Sequence, residues 1–263
     1  MTSESFDSVA KQYDNSFTNT VIGKMQRARV WDYLESILPD KPINILELNC
    51  GTGEDAIWFA NKGHNVLATD ISGQMVSITN GKIEKLYLAN KVKTQQIDIN
   101  QIDKISTSNK FDLIFSNFGG LNCLTEAELI LLSKKIKDLL NPKGKFISVV
   151  MPDFCMIESL YFLLKLKFNL IFRRKRMQQV KINDSIIDTY YYHPNRFYKI
   201  FKDNFVVYKS ITIGLFIPPS YLDNFLKHKT RFLNILNKLE ILFGNNSFAA
   251  ANSDHFLIDL NIK

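Results

Sequence analysis

The chain has 263 residues, 46% of them apolar, with a formal charge of +7, enough apolar material for one large α/β core or a core with a substantial cap. Its three cysteines, Cys50, Cys123 and Cys155, form no CxxC pair and no even framework, which argues against a structural zinc site, a disulfide scaffold or any other metal centre. Residues 1–150 carry 17 basic and 17 acidic side chains, and the rest carry 16 and 9, so the whole positive excess lies in the C-terminal part.

The first seventeen residues, MTSESFDSVAKQYDNSF, lack the basic and apolar regions of a signal peptide, and a cytoplasmic protein is expected. The next unit is the stretch from Ile43 to Ala60, INILELNCGTGEDAIWFA. It reads as a buried strand (about 43–48), a glycine turn and a helix (about 54–62). Gly51 and Gly53 let the backbone approach a ligand closely, because glycine has no Cβ and accepts φ > 0. Glu47 ends the strand, and Glu54 and Asp55 occupy the first helical turn. Carboxylates suit the positive end of a helix dipole, but they repel the pyrophosphate that a dinucleotide places there. S-adenosylmethionine carries no phosphate, and acidic groups attract its sulfonium and ammonium. The loop therefore favours that cofactor over NAD.

HNVLATD gives a second apolar strand ending at Asp70, followed by a Ser72-led helix. The alternation continues through VKTQQID (92–98), FDLIFSNF (111–118), a helix from Thr125 to about Leu140, and GKFISVVMP (144–152). Near-continuous apolar runs in these strands predict burial on both faces of a parallel sheet, hence a doubly wound α/β fold. Beyond Pro152 the rhythm changes. An aromatic, basic segment precedes two further strands, FVVYKSITIGLFI (205–217) and DHFLIDLNI (254–262), and a helical insertion is expected at 218–250. QQVKIND and SIIDTYYYH (178–184 and 185–193) predict a hairpin turning near Asn183-Asp184-Ser185. The expected division is an N-terminal helical lid (1–40), a cofactor-binding core (41–152), an inserted cap (153–203) and a C-terminal strand pair that completes the sheet (204–263).

The run Arg173-Arg174-Lys175-Arg176 follows the apolar-basic stretch YFLLKLKFNLIF at 161–172. That stretch is shorter than the roughly 20 apolar residues needed to cross a bilayer. Two readings remain: a cap helix with a solvated basic end, or an in-plane contact of 161–176 with the inner membrane surface.

In several ordered pieces the chain resembles the class I S-adenosylmethionine-dependent methyltransferases of small-molecule type. ELNCGTG resembles their first motif, acidic-x-G-x-G-x-G, with Asn49 where the first glycine is usual; Asn tolerates left-handed φ better than other non-glycine residues. The resemblance implies their Rossmann-like fold: a mostly parallel seven-stranded sheet with an antiparallel C-terminal strand pair and an inserted cap. It implies that Asp70 holds the two ribose hydroxyls, that Ile71 and Met75 flank the adenine, and that Asp98 and the backbone N–H of Ile99 read the adenine edge. Asn117-Phe118-Gly119-Gly120 resembles the fourth motif, the floor near the methyl group. FDSVAKQYDNSF resembles an N-terminal aromatic segment that closes over the cofactor, with Tyr13 the residue placed there. Arg27 or Arg29 is a candidate partner for the methionine carboxylate, the alternative being an exposed helix residue.

Methyl transfer from a sulfonium needs mainly alignment of acceptor and methyl. A hydroxyl or carbon acceptor must also lose a proton, for which His193 is the best-placed candidate and His255 a second. Insertions rich in Phe, Tyr, Ile and Leu suggest a small lipophilic or aromatic acceptor and O- or C-methylation. Asn117 does not head the Pro-Pro-aromatic signature of nucleic-acid base methyltransferases, and no nucleic-acid-binding module is recognisable. A NAD-linked oxidoreductase and a membrane-associated binding protein on the same fold are the alternatives.

Overall fold

The computed structural model describes residues 6–105, 109–182 and 185–263. The N-terminal segment forms a short helix α1 (Ala10–Tyr13), a π turn (Asp14–Thr18) and the long helix α2 (Val21–Ile37), whose Thr20 side chain accepts from Gly23 N. The core then alternates β1 (Asn44–Leu48), α3 (Glu54–Asn61), β2 (Asn65–Asp70), α4 (Gly73–Lys85), β3 (Val92–Gln96), β4 (Phe111–Ser116), α5 (Glu126–Leu139) and β5 (Leu140–Val150). The predicted starts of α4 and α5 have a physical cause. Ser72 and Thr125 each accept a backbone N–H of the first turn, and Thr125 with Glu128 closes a capping box.

The cap follows as α6 (Met156–Leu164) and the antiparallel hairpin β6 (Gln178–Ile182) and β7 (Ser185–Thr189). Asn183 and Asp184 of its predicted turn lie outside the described residues. Next come α7 (Pro194–Phe201), β8 (Phe205–Ile213), the second insertion with α8 (Asp223–Leu226) and α9 (Thr230–Phe243), and β9 (His255–Ile262). β8 stops short of the predicted Ile217 because Gly214 turns the chain at φ +79°. β3 likewise ends at Gln96, since Asp98 caps a 3-10 turn at 99–104 instead of continuing the strand.

The sheet order is β3-β2-β1-β4-β5-β9-β8. β1 through β5 pair in parallel, and β9 runs antiparallel to both β5 and β8. The C-terminal strand thus wedges between β5 and β8. Alternate side chains feed two cores. Leu46, Leu48, Phe146, Phe256 and Ile258 meet α5 and α7 through Leu129, Ile136, Phe197 and Phe201. Ile45, Phe115, Ile147 and Leu257 meet α2, α3 and α4 through Leu34, Phe59 and Ile83. The strand order reverses at β1 and β4, and a crevice opens there beyond their carboxyl ends, the place where open parallel sheets bind ligands.

One carboxylate breaks the apolar pattern of β1. Glu47 is 1% exposed, and its Oε2 has no hydrogen-bond partner among the described residues. Burial, reinforced by the nearby charge of Asp55, pushes its pKa well above the usual carboxylate range. A native state that binds this proton more tightly than the unfolded chain is favoured at low pH and loses that advantage as pH rises toward the elevated folded value. Glu47→Gln removes the titration. Its stability relative to the parent in urea unfolding should therefore rise as pH climbs above the ordinary carboxylate range, and a pH-independent difference would contradict the burial argument.

Candidate functional site

The glycine turn owes its shape to positions that a Cβ would disturb. Asn49, Gly51 and Gly53 all adopt positive φ, at +48°, +54° and +83°. A Cβ on Gly53 would come within 2.5 Å of the Thr79 side chain. Gly51 is held on both sides: its N–H donates to Asp70 Oδ2 at 2.9 Å, and its carbonyl accepts from Thr79 Oγ1 at 2.9 Å. Asn49 uses its amide to bridge strands. Nδ2 donates to the Asn117 carbonyl at 2.7 Å, and Oδ1 accepts from Ser116 Oγ at 2.6 Å. A Cβ on Gly120 would lie 2.2 Å from the Asn49 side chain. The side chain gained at position 49 thus fills the room that glycine leaves at 120.

The crevice contains a cavity of about 170 Å³ bordered by Phe6, Tyr13, Asn49, Gly51, Asp70, Ile71, Met75, Ile97, Asp98, Ile99, Phe118, Gly119, Gly120 and Cys123. Two carboxylates line it and, among the described residues, no lysine or arginine does. Asp70 accepts from Ser72 N at 2.9 Å as well as from Gly51 N, and Asp98 accepts from Asn100 N at 2.8 Å. Burial raises the pKa of Asp70, with the backbone donors Ser72, Gly51 and Ile71 opposing the rise. The N-terminal segment closes over this cavity. Asp7 accepts from Ser72 Oγ and from Gln74 N, while Asp14 accepts from Thr52 Oγ1 and pairs with Lys82. Burial lifts the Tyr13 hydroxyl to about 12, so it remains a neutral donor.

A second, smaller space of about 30 Å³ adjoins the first and is lined by Tyr13, Arg27, Asn49, Gly51, Glu54, Asp55, Asn117 and Phe118. Here the expectation of exposed helix arginines is corrected. Arg27 and Arg29 are 7% and 8% exposed, because α2 packs along the sheet instead of lying free on the surface. Arg27 Nη1 meets Asp55 Oδ2 at 2.5 Å, while its Nε has no acceptor among the described residues. Asp55 also accepts from Trp31 Nε1 and Asn117 Nδ2. Arg29 points elsewhere, to Asn245 Oδ1 at 2.6 Å. Asp55, read from sequence as a dipole partner of its helix, is the hub of this end. Glu47 borders neither space and lies behind the turn.

Phe118 lines both spaces and carries an aromatic relay. Its ring meets Phe17 at 4.9 Å and His255 at 5.3 Å, with the Arg27 guanidinium 5.3 Å above it. His255 Nδ1 lies 3.2 Å from Asp254 Oδ2. Burial would raise the Asp254 carboxyl, but the charges of His255 and Arg174 hold it well below the usual range. Gln26 Nε2 and Arg174 Nη2 donate to the same carboxylate at 2.9 and 2.6 Å.

His193 is not in this constellation. It caps the N-terminus of α7, where Nδ1 accepts from Asn195 N at 3.2 Å, and it lines a separate groove with Pro194, Tyr198, Tyr208 and Phe248. The cause is local: Tyr192 turns into the core, donating to the Leu124 carbonyl, and Pro194 starts the helix. The basic run is also corrected. Arg174 is 4% exposed and clamps Glu158 and Asp254, and the half-buried Arg173 pairs with Glu158, so only Lys175 and Arg176 of the predicted solvated cluster are exposed.

Residues 45–144 match the methyltransferase-domain family. Among curated relatives, the chain is similar to the tRNA 5-carboxymethoxyuridine methyltransferase of Escherichia coli (strain K12), 29% identical over 29% of this chain and 30% of that protein. It is also similar to the putative methyltransferase YqeM of Bacillus subtilis (strain 168), 31% identical over 48% of this chain and 49% of that one. The chain therefore spans half or less of the length of these relatives. Two solved structures share the fold: the PH0226 protein from Pyrococcus horikoshii OT3, at 17% identity over 96% of this chain and 99% of that one with a TM-score of 0.60, and geranyl diphosphate C-methyltransferase from Streptomyces coelicolor A3(2), at 10% identity over 89% and 80% with a TM-score of 0.57. These matches identify a methyltransferase domain over residues 45–144 and, through the solved structures, a fold shared over most of the chain.

Proposed function

We propose that the protein transfers the methyl group of S-adenosylmethionine to a small lipophilic or aromatic acceptor, at oxygen or carbon. The observation that carries this reading is a crevice with two carboxylates and an apolar slot, with Arg27 in the smaller space beside it. A dinucleotide pyrophosphate would meet Glu54 and Asp55 at the helix terminus it needs. A cofactor with a cationic centre and two ribose hydroxyls suits the same groups.

S-adenosylmethionine, when bound, supplies an electrophilic methyl on a sulfonium sulfur. The chain's residues then have distinct tasks. Asp70 accepts from the ribose hydroxyls, while Asp98 and the Ile99 N–H take the adenine edge between Ile71 and Met75. Arg27 takes the methionine carboxylate, sharing its charge with Asp55, and Asn49, Gly51, Gly53 and Asn117 shape the backbone around that end. Glu47, raised in pKa and buried, supports the turn from behind. Tyr13 and the lid at 1–40 exclude water, which strengthens each polar contact. The segments 153–203 and 218–250 enclose the acceptor beyond Phe118. His255, whose Nδ1 lies 3.2 Å from Asp254 Oδ2, takes the acceptor's proton at Nε2. The neighbour that acts on geranyl diphosphate, and another named magnesium protoporphyrin IX methyltransferase, lend support to a lipophilic acceptor. The match to the tRNA enzyme covers 79 residues and says little about acceptors.

Calorimetry should show that adenosylhomocysteine binds the parent protein and that Asp70→Ala weakens it about 100-fold, the loss of two hydrogen bonds to a charged group. NADH should give no heat. Absence of adenosylhomocysteine binding, or binding that Asp70→Ala leaves unchanged, would sink the cofactor assignment. Labelled adenosylmethionine incubated with an apolar cell extract identifies the methylated product by mass spectrometry. On that acceptor His255→Gln should lower kcat by about 100-fold or more, with adenosylhomocysteine affinity retained. An unchanged kcat would remove His255 from the chemistry.

A further inference from the structure

Both α6 and α9 bury a glutamate beside one apolar side chain, Phe162 or Leu233, and turn most of their apolar surface outward. α6 buries Glu158 and Ser159, at 2% and 8% exposure, and turns Leu160, Leu163 and Leu164 to solvent, at 52%, 45% and 74%. The loop after it continues the pattern with Leu166, Phe168 and Phe172 at 74%, 62% and 63%. α9 buries Glu240 completely, where its carboxylate accepts from Gly214 N and Phe216 N, and exposes Ile235, Leu242 and Phe243 at 57%, 70% and 51%. A water-facing helix has the opposite arrangement. The inward glutamates are fixed by specific partners: Glu158 by Arg173, Arg174 and the Tyr221 hydroxyl, Glu240 by backbone donors. The outward apolar faces are therefore a consequence of how the helices are anchored.

Charge singles out what covers these faces. Residues 159–182 contain no Asp or Glu, and neither do residues 224–239. The exposed charged side chains among the apolar ones are Lys165, Lys167, Lys175, Arg176 and Lys181 in the first stretch, of which Lys175 pairs with Asp153, and Lys227, Lys229, Arg231 and Lys238 in the second. Tyr221, from the second insertion, donates to Glu158 of the first at 2.9 Å, so the two stretches are tied together. A symmetric contact with a second copy would set these like charges against each other. An anionic bilayer meets both demands at once, because acyl chains take up Leu and Phe while headgroup phosphates take up Lys and Arg. Among the described residues no helix is long and apolar enough to cross a membrane, so the contact is in the plane of the surface.

We propose that the apolar, basic face of the two insertions docks the protein on anionic lipid bilayers. Leu163, Leu164, Phe168 and Phe172 enter the headgroup boundary, and Lys165, Lys167 and Arg176 pair with phosphates beside them. Arg173 and Arg174 take no part, because Glu158 and Asp254 already neutralise them. The proposal does not rest on the acceptor reading, and docking is measured without cofactor or acceptor.

The test is sedimentation of the full chain with vesicles of phosphatidylcholine alone and with about a third phosphatidylglycerol, at low and high salt. The expected result is binding to the anionic vesicles at least about 10-fold stronger than to the neutral ones, weakened by salt. Leu164→Glu with Phe168→Glu should abolish it, and Lys165→Glu with Lys167→Glu should reduce it about 10-fold. All four positions are exposed, and unchanged adenosylhomocysteine binding or an unchanged circular dichroism melt shows that the variants fold. No binding to anionic vesicles would overturn the proposal, as would equal binding by parent and Leu164→Glu/Phe168→Glu. Self-association that this double variant abolishes, with no vesicle binding, would assign the face to a second copy instead.

Discussion

The hydrogen bond from Gly51 N to Asp70 Oδ2 joins the ends of two neighbouring parallel strands, and the rest of the site hangs on it. It forms only because the turn after β1 runs through positive φ at positions 49, 51 and 53, so that a backbone N–H points across to β2. Once Asp70 is fixed there, Ser72 N and Thr79 Oγ1 lock the start of α4 against the same turn. The sheet order supplies the remainder. Reversal between β1 and β4 leaves a crevice into which Asp98 projects from beyond β3 and Phe118 from beyond β4. A parallel sheet gathers the ends of separate strands at one edge, which is how an acidic crevice is assembled from residues far apart in sequence.

A second constraint is the buried network Glu158, Arg173, Arg174 and Asp254. Glu158, Arg174 and Asp254 are buried and Arg173 half-buried; burying such charges costs several kcal/mol per ion before pairing, and removing one partner would leave a charge uncompensated. Here the network ties α6 and its loop to the residue preceding β9, and through Asp254 to His255 beside Phe118. Cap and crevice are thus coupled by ion pairs as well as by apolar packing. The same anchoring directs the glutamates of α6 and α9 inward and leaves leucines and phenylalanines outside.

Much of the core was legible because its signals are local. Ser72 and Thr125 cap the helices that they precede, Gly51 and Gly53 mark the turn, and the acidic ends Asp70 and Asp98 follow apolar runs of strand length. The cap was harder to read because its partners are distant. Arg27 and Arg29 sit on a helix with little amphipathic contrast, and only the packing of α2 against β1 and β8 reveals that they are buried. Arg174 looked solvated beside three other basic residues, since Asp254 lies 80 positions away. His193 was attractive for its tyrosine neighbours, yet a proline at the first helical position made it a cap. Asp55 illustrates the limit most clearly: a carboxylate in a first helical turn is ordinary, and its convergence with Arg27, Trp31 and Asn117 exists only in three dimensions.

The central claim is that the acidic crevice holds S-adenosylmethionine in one orientation. The most direct measurement is a crystal structure of the protein with adenosylhomocysteine. The expected result is both ribose hydroxyls on Asp70, the adenine between Ile71 and Met75 with its edge at Asp98 and Ile99, and the amino-acid carboxylate on Arg27. A ligand lodged outside the crevice, or one whose ribose faces away from Asp70, would contradict it.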